Sequence, residues 1–185
     1  MTLIFYIIIG IITFIAFLHA AAKKEFDISR TVVINCPKEE VFNIVRRLKK
    51  EHLWMPWFAD DYDGVLKYKG EDGKLGSFLY WKGHKRFYEG TQNITKIQQG
   101  KIIETKFSVV KPVRIILLEY KGLKEIDDTK TKMVWGIKGY LAFPFSVLAL
   151  IQPVDKAYGK DLELGLKNLK TILEAKKIFK EVKAL

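Results

Sequence analysis

The sequence predicts an α+β protein: a curved antiparallel sheet around one long C-terminal helix, preceded by a single transmembrane helix. Three observations predict it. Residues 3–22, LIFYIIIGIITFIAFLHAAA, are uncharged and overwhelmingly apolar. Between residues 26 and 142 most segments alternate with the two-residue period of a strand. Residues 154–174, VDKAYGKDLELGLKNLKTILE, repeat every three or four residues instead. There Val154, Tyr158, Leu162, Leu166, Leu169 and Leu173 fall on one stripe of a helix, with most of the lysines off it. One long helix after a run of strands has a face to bury, and a sheet that curls around it buries that face.

The apolar run has about the twenty residues that a helix needs to cross a bilayer. Lys23 and Lys24 end it. A cleavable signal peptide is the rival reading, because Ala20-Ala21-Ala22 resembles a cleavage site. The absence of a basic leader and the length of the run favour the anchor. The flanking lysines favour the cytoplasmic side for the domain by the positive-inside rule, but one short flank leaves the orientation open. His19, near the end of the span, is expected at headgroup level.

The domain proper starts after residue 25. Residues 26–35 alternate as a strand, with Ile28, Val32 and Ile34 facing a core. Pro37 suits the first position of a helix, and Glu39 and Glu40 sit in its first turn, where the helix dipole favours negative charge. Val41, Phe42, Ile44, Val45 and Leu48 form its buried face. Trp54-Met55-Pro56-Trp57-Phe58 predicts a short helix or turn that plugs an opening or packs a corner. Asp60, Asp61 and Asp63 read as a solvated acidic turn, since the glycine and acid pattern of a calcium loop is absent. Strands follow over 65–69, 75–83, 87–97, 102–109, 113–122 and 133–141, joined by tight turns, and so pair antiparallel. In the fourth of these Ile103, Thr105, Phe107 and Val109 share a face. Residues 146–151 are an apolar piece leading to Pro153 and the long helix. Residues 175–185 are a basic tail that keeps some helical pattern. Gly159 and Gly165 interrupt the long helix at about 1 kcal/mol each relative to alanine, so each implies close backbone approach or space for a ligand.

The totals narrow the function. The 185 residues carry a net charge of +11, all of it from residue 23 onward. That stretch is one domain in length, and its charge favours an anionic partner. The positive residues are scattered without an arginine-rich run, which argues against nucleic acid and, beside an apolar span, for anionic lipid headgroups. One cysteine, Cys36, excludes an intrachain disulfide framework and a cysteine-rich zinc site.

Four short motifs, in order, carry a resemblance. Ile34-Asn35-Cys36-Pro37 with Val41-Phe42 resembles the I-N-A-P-x-x-x-V-F opening of the SRPBCC (START-like) superfamily, with Cys36 in place of alanine. Trp54-Met55-Pro56-Trp57 resembles its W-S-P-W segment, with Met55 for serine. Tyr80-Trp81-Lys82-Gly83-His84 resembles the Y-x-W-x-G-N strand of the polyketide cyclase/dehydrase-like branch, with His84 for asparagine and shifted aromatics. Gly159-Lys160-Asp161-Leu162-Glu163 with Gly165-Leu166 and Asn168-Leu169-Lys170 resembles the C-terminal helix signature. The resemblance spans roughly residues 26–174 and implies the helix-grip fold, with a hydrophobic cavity between sheet and helix. It implies Trp54, Trp57, Phe78, Tyr80, Tyr88, Gln92, Phe107, Trp135, Tyr158 and Gly165 as cavity residues, and it tilts Gly165 toward ligand space.

Chemistry is sparsely equipped. Outside the span only His52 and His84 are histidines, and no G-x-S-x-G, P-loop or G-x-G-x-x-G occurs. No metal-ligand spacing is present. No catalytic residue, metal or cofactor is therefore assigned. His84, Arg86, Tyr88 and Gln92 could orient a polar headgroup, although His84 reads better as a solvent-facing turn residue. Gln92 shares a face with Tyr88 and Ile94, and an inward amide must find a partner, backbone or ligand. The leading expectation is a membrane-tethered binder or carrier of a hydrophobic or lipid-like molecule. A cyclase/dehydrase-type enzyme and a filled interaction module are the alternatives.

Overall fold

The computed structural model describes residues 2–58, 64–83, 88–111 and 114–182, with 176–182 as backbone alone. The apolar run forms helix α1 (Thr2–Ala21), which buries none of its residues fully and is long and apolar enough to cross a membrane. Its 20 residues rise about 30 Å, the thickness of a bilayer's hydrocarbon core. Then follow β1 (Glu25–Ile34), α2 (Lys38–Val45) and two 3-10 segments, Leu48–Leu53 and Pro56–Phe58. The meander comprises β2 (Val65–Lys69), β3 (Phe78–Lys82), β4 (Glu89–Gln98), β5 (Ile102–Lys111), β6 (Ile115–Asp127) and β7 (Lys130–Tyr140). Helices α3 (Phe145–Ile151) and α4 (Val154–Val182) close the chain.

The seven strands form one antiparallel sheet in the order β1-β7-β6-β5-β4-β3-β2. The first strand crosses over to pair with the last. The sheet's concave face, α2, the 3-10 segments and the stripe Leu162, Leu166, Leu169, Leu173 of α4 share one core. This is the helix-grip architecture. Strand alternation sets the faces: Ile103, Thr105, Phe107 and Val109 of β5 and Met133, Trp135 and Ile137 of β7 point inward and are buried.

Three boundaries differ from expectation. The strand expected from residue 75 starts only at Phe78, because Gly70, Gly73 and Gly76 hold positive φ in the preceding turns. The charged turn expected over 125–131 shrinks to Asp128-Thr129, with Glu125 and Asp127 paired to Thr131 and Lys130 in the β6–β7 ladder. Asp127 closes that turn by accepting from the Thr129 amide and hydroxyl, both at 2.8 Å. The basic tail continues α4 as far as Val182. Asp60, Asp61, Asp63, His84 and Arg86 lie outside the described residues.

A charged clasp seats the start of α4. Arg30 of β1 reaches Asp155 at 2.8 Å and Glu163 at 2.7 Å, one turn to either side of Gly159. A Cβ built on Gly159 would lie 2.3 Å from the Arg30 guanidinium. The first helix glycine thus marks the path of an arginine across the helix.

Candidate functional site

The interior between sheet and helix holds an aromatic block. Trp54 and Trp135 meet edge-on at 4.9 Å, Trp57 lies 5.4 Å from Trp135 and 5.8 Å from Phe107, and Trp81 lies 4.7 Å from Phe107. Such pairs add to the burial of their area. The Trp57 indole donates to Asp161 of α4 at 3.0 Å, so the 3-10 segment is pinned to the helix. The expected plug is therefore core packing: Trp54, Met55, Trp57 and Phe58 are all buried.

The sequence-predicted cavity residues divide accordingly. Trp54, Trp57, Gln92, Phe107 and Trp135 come together in the interior. Phe78 and Tyr80 do not. On β3 the inward positions are Leu79 and Trp81, and Tyr80 lies on the outer face, where its hydroxyl donates to Glu89. Tyr88 is 47% exposed, outside the start of β4. Tyr158 stands at the other end of the helix, in the groove described below. Gly165 faces Trp135, whose ring lies 2.5 Å from a built Cβ, and Pro56 follows at 3.2 Å. The space expected under Gly165 for a ligand is thus filled by an indole.

Among these rings lies a buried polar cluster. Glu51, Gln92, Thr105, Glu119 and Lys121 are each at most 1% exposed. Cross-strand pairing builds it: Thr105 stands opposite Glu119, and Lys121 opposite Trp135. Glu119 accepts from the Trp135 indole at 2.7 Å, from Gln92 at 2.8 Å and from the Thr105 hydroxyl at 2.5 Å. Lys121 lies 3.3 Å from Glu119 and 2.5 Å from Glu51, and its ammonium sits 5.6 Å from the centre of the Trp54 ring. Gln92 also donates to Glu51 at 3.1 Å, so carboxylates, and not the backbone, satisfy its amide donor. Glu51 Oε2, Gln92 Oε1 and Trp54 Nε1 have no hydrogen-bond partner among the described residues.

One ammonium faces two carboxyls in a buried site, so both cannot be ionised cheaply. Glu119 is the better solvated of the two by the protein, with three donors on its oxygens. Burial pushes the Glu51 carboxyl up to about 8; Lys121 opposes the rise and the Glu119 charge adds to it. Lys121 is raised from its ordinary value: burial lowers it, but the attraction of Glu119 and Glu51 outweighs that. Glu51 therefore keeps its proton in the folded state at pH values where the unfolded chain, near the ordinary value of about 4.3, has lost it. The stability this contributes is complete below about pH 4.3 and is lost as pH rises to about 8. Glu51→Gln is expected to flatten that decline, measured as the unfolding midpoint of the detergent-solubilised chain between pH 5 and 9. An unchanged slope would show that another group carries the proton.

A second site lies at the foot of α1. A groove of about 630 Å³ runs between the end of the sheet nearest α1 and the helices that follow it, lined by Arg114, Ile115, Tyr140, Phe145, Leu148, Ala157 and Tyr158 among others. Its walls belong to β6, β7, α3 and the first turns of α4. Its size and apolar lining with one charged group suit a small amphipathic molecule. The rim is tied to α1: His19 Nδ1 and the Ser146 hydroxyl are 2.7 Å apart, and the His19 ring meets Phe143 edge-on at 5.6 Å. Among the described residues no cluster of His, Cys, Asp and Glu could hold a metal. Cys36 is buried, with its thiol 3.7 Å from a Glu40 oxygen.

The fold recurs in solved structures at low sequence identity. Norcoclaurine synthase from Thalictrum flavum, in complex with dopamine and hydroxybenzaldehyde, aligns with a TM-score of 0.60 at 8% identity, over 85% of this chain and 91% of the synthase. A protein of unknown function from Staphylococcus aureus gives 0.63 at 8% identity, over 83% and 96% of the two chains. A protein from Thermobifida fusca gives 0.54 at 16% identity, over 78% and 90%. No family model and no curated protein matches the sequence.

Proposed function

We propose that this chain is a membrane-tethered, non-catalytic binding or carrier domain for an amphipathic, lipid-like molecule, in the SRPBCC manner its motifs resemble. The observation that carries this reading is the apolar groove walled by α3, which itself packs against the end of an exposed apolar helix of spanning length. The helix-grip fold supports it, as a fold that in norcoclaurine synthase accommodates small aromatic molecules. This reading puts the ligand in that groove rather than in the filled aromatic interior, and it keeps Tyr158 as a contact. The basic balance of the domain agrees with an anionic lipid surface.

Full-length protein in nanodiscs, exposed to a fluorescent acyl-chain phospholipid and read by native mass spectrometry, tests it. A stoichiometric adduct is expected. Ala149→Trp, which places an indole in the groove wall, is expected to weaken uptake about tenfold or more with little change in unfolding midpoint. No adduct with either protein would leave the interaction module standing instead.

The interior cluster favours a second reading, an enzyme of cyclase/dehydrase type. A carboxyl that holds its proton to about 8 beside a lysine and a glutamine is equipment for general acid–base work. Its enclosure by Trp54, Trp57, Phe107 and Trp135 argues against access, so the carrier reading stands first. Turnover of the bound molecule, abolished by Glu51→Gln, would reverse that order.

A further inference from the structure

From Gly139 to Val154 the chain carries no charged residue. Much of this stretch is nevertheless on the surface: Tyr140 is 57% exposed, Phe143 56%, Leu148 52%, Leu150 51% and Ile151 81%. Solvated loops and short surface helices are usually polar, and a contiguous exposed apolar patch marks an interaction site. The position of this one names its partner. Helix α3 packs against the last turn of α1, with Ser146 on its buried side meeting His19. Ala22, just past α1, is buried against the domain, and the Leu141 amide donates to the Lys24 carbonyl at 2.7 Å. The foot of α1 and residues 141–146 are therefore one packed unit at one level. Leu148 and Ile151, three apart on α3, share a stripe that turns away from that contact.

We infer that residues 140–151 make a second membrane contact: α3 lies in the bilayer interface beside α1, its apolar side chains face lipid, and the groove it walls opens onto the leaflet. This rests on the reading of α1 as a membrane span. If α1 crosses the hydrocarbon core, its last turn stands at the boundary between headgroups and acyl chains, and α3 stands there with it. Apolar side chains at that depth are buried by lipid, as in helices that lie in the interface plane. Tyr140 and Phe143 occupy the level where aromatic side chains anchor proteins in the interface. Exposed cations surround the patch: Lys23 past the helix, Lys138 on β7 and Arg114 at the groove, placed to meet anionic headgroups. His19 becomes intelligible as the polar link joining span and interfacial helix through Ser146. Because Leu148 and Ile151 both face outward and line the groove, a bound amphiphile would pass between leaflet and groove without crossing water.

Depth-dependent quenching tests this on the full-length chain in phosphatidylcholine–phosphatidylglycerol vesicles. A bimane probe is attached in turn at Leu148→Cys, Ile151→Cys, Thr13→Cys and Ile126→Cys, with the buried Cys36 left in place. Ile126 is 52% exposed at the far end of the sheet, about 30 Å from the foot of α1 along the strands. Lipids with nitroxide-bearing acyl chains are expected to quench the probes at 148, 151 and 13 at least threefold more than the probe at 126. Quenching at 13 with none at 148 and 151 would leave the tether intact and overturn the second contact. No quenching at 13 would overturn the tether reading and this inference with it. Crosslinking between copies through position 151, without quenching, would assign the patch to a second copy of the chain and equally overturn it.

Discussion

Lys121→Met is expected to cost about 3–5 kcal/mol at neutral pH, the loss typical of a buried ion pair broken from one side. The side chain is 1% exposed and lies within 3.3 Å of Glu119 and 2.5 Å of Glu51. Methionine replaces the aliphatic stem well, so packing changes little and the effect is electrostatic. Glu119 would keep its bonds from Trp135, Gln92 and Thr105, but its charge would lose the only cation in the described cluster. Adding Glu119→Gln should recover part of it by removing the stranded charge. Denaturant unfolding of the single and double variants at pH 7.5 measures both effects. A loss under 1 kcal/mol at pH 7.5 for Lys121→Met would show that water already reaches the cluster.

The strands, their inward positions on β1, β5 and β7, the long helix and its buried stripe were legible because period and burial coincide along each of them. The site was less legible, for reasons that differ by residue. Gln92 stood out as an amide on an apolar face, and its partners were invisible because they come from β6 and from a 3-10 turn. Glu119 and Lys121 did leave a signal: they occupy two consecutive inward positions of β6, between Leu117 and Leu123. The outward positions of that strand are apolar too, so alternation alone did not say which face was the core. Glu51 sits in Lys49-Lys50-Glu51-His52, a run that reads as solvent, and only the fold turns it inward. Phe78 and Tyr80 were misplaced because β3 is bulky on both faces. Its register decides the matter by pairing Trp81 with Gly90 and Leu79 with Gln92. The groove depends on residues 115, 140, 148 and 158, which no local pattern connects.

Gly165→Leu should lower the unfolding midpoint steeply and leave amphiphile uptake in the outer groove nearly unchanged. A glycine on a buried helix stripe says that something is close, and sequence alone leaves open whether it is a ligand or the protein. The structure places Trp135 there: even a built Cβ would lie 2.5 Å from its ring and 3.2 Å from Pro56. Neither neighbour can yield easily. The Trp135 indole is fixed by its bond to Glu119 and by Trp54 and Trp57 on its flanks. Pro56 belongs to the segment that Trp57 ties to Asp161. Leucine would bring three further carbons beyond that Cβ, so overpacking should reach or exceed the roughly 3 kcal/mol upper end of its usual range. For a chain of this size that corresponds to a fall of roughly 6–12 °C. The gain in helix propensity over glycine, about 1 kcal/mol, offsets only part of it. Thermal unfolding and phospholipid uptake measured on the same protein separate the two possibilities. A midpoint that holds or rises, with uptake lost, would mean that Trp135 swings aside to admit a ligand beneath α4, and the binding site would return to the interior of the grip.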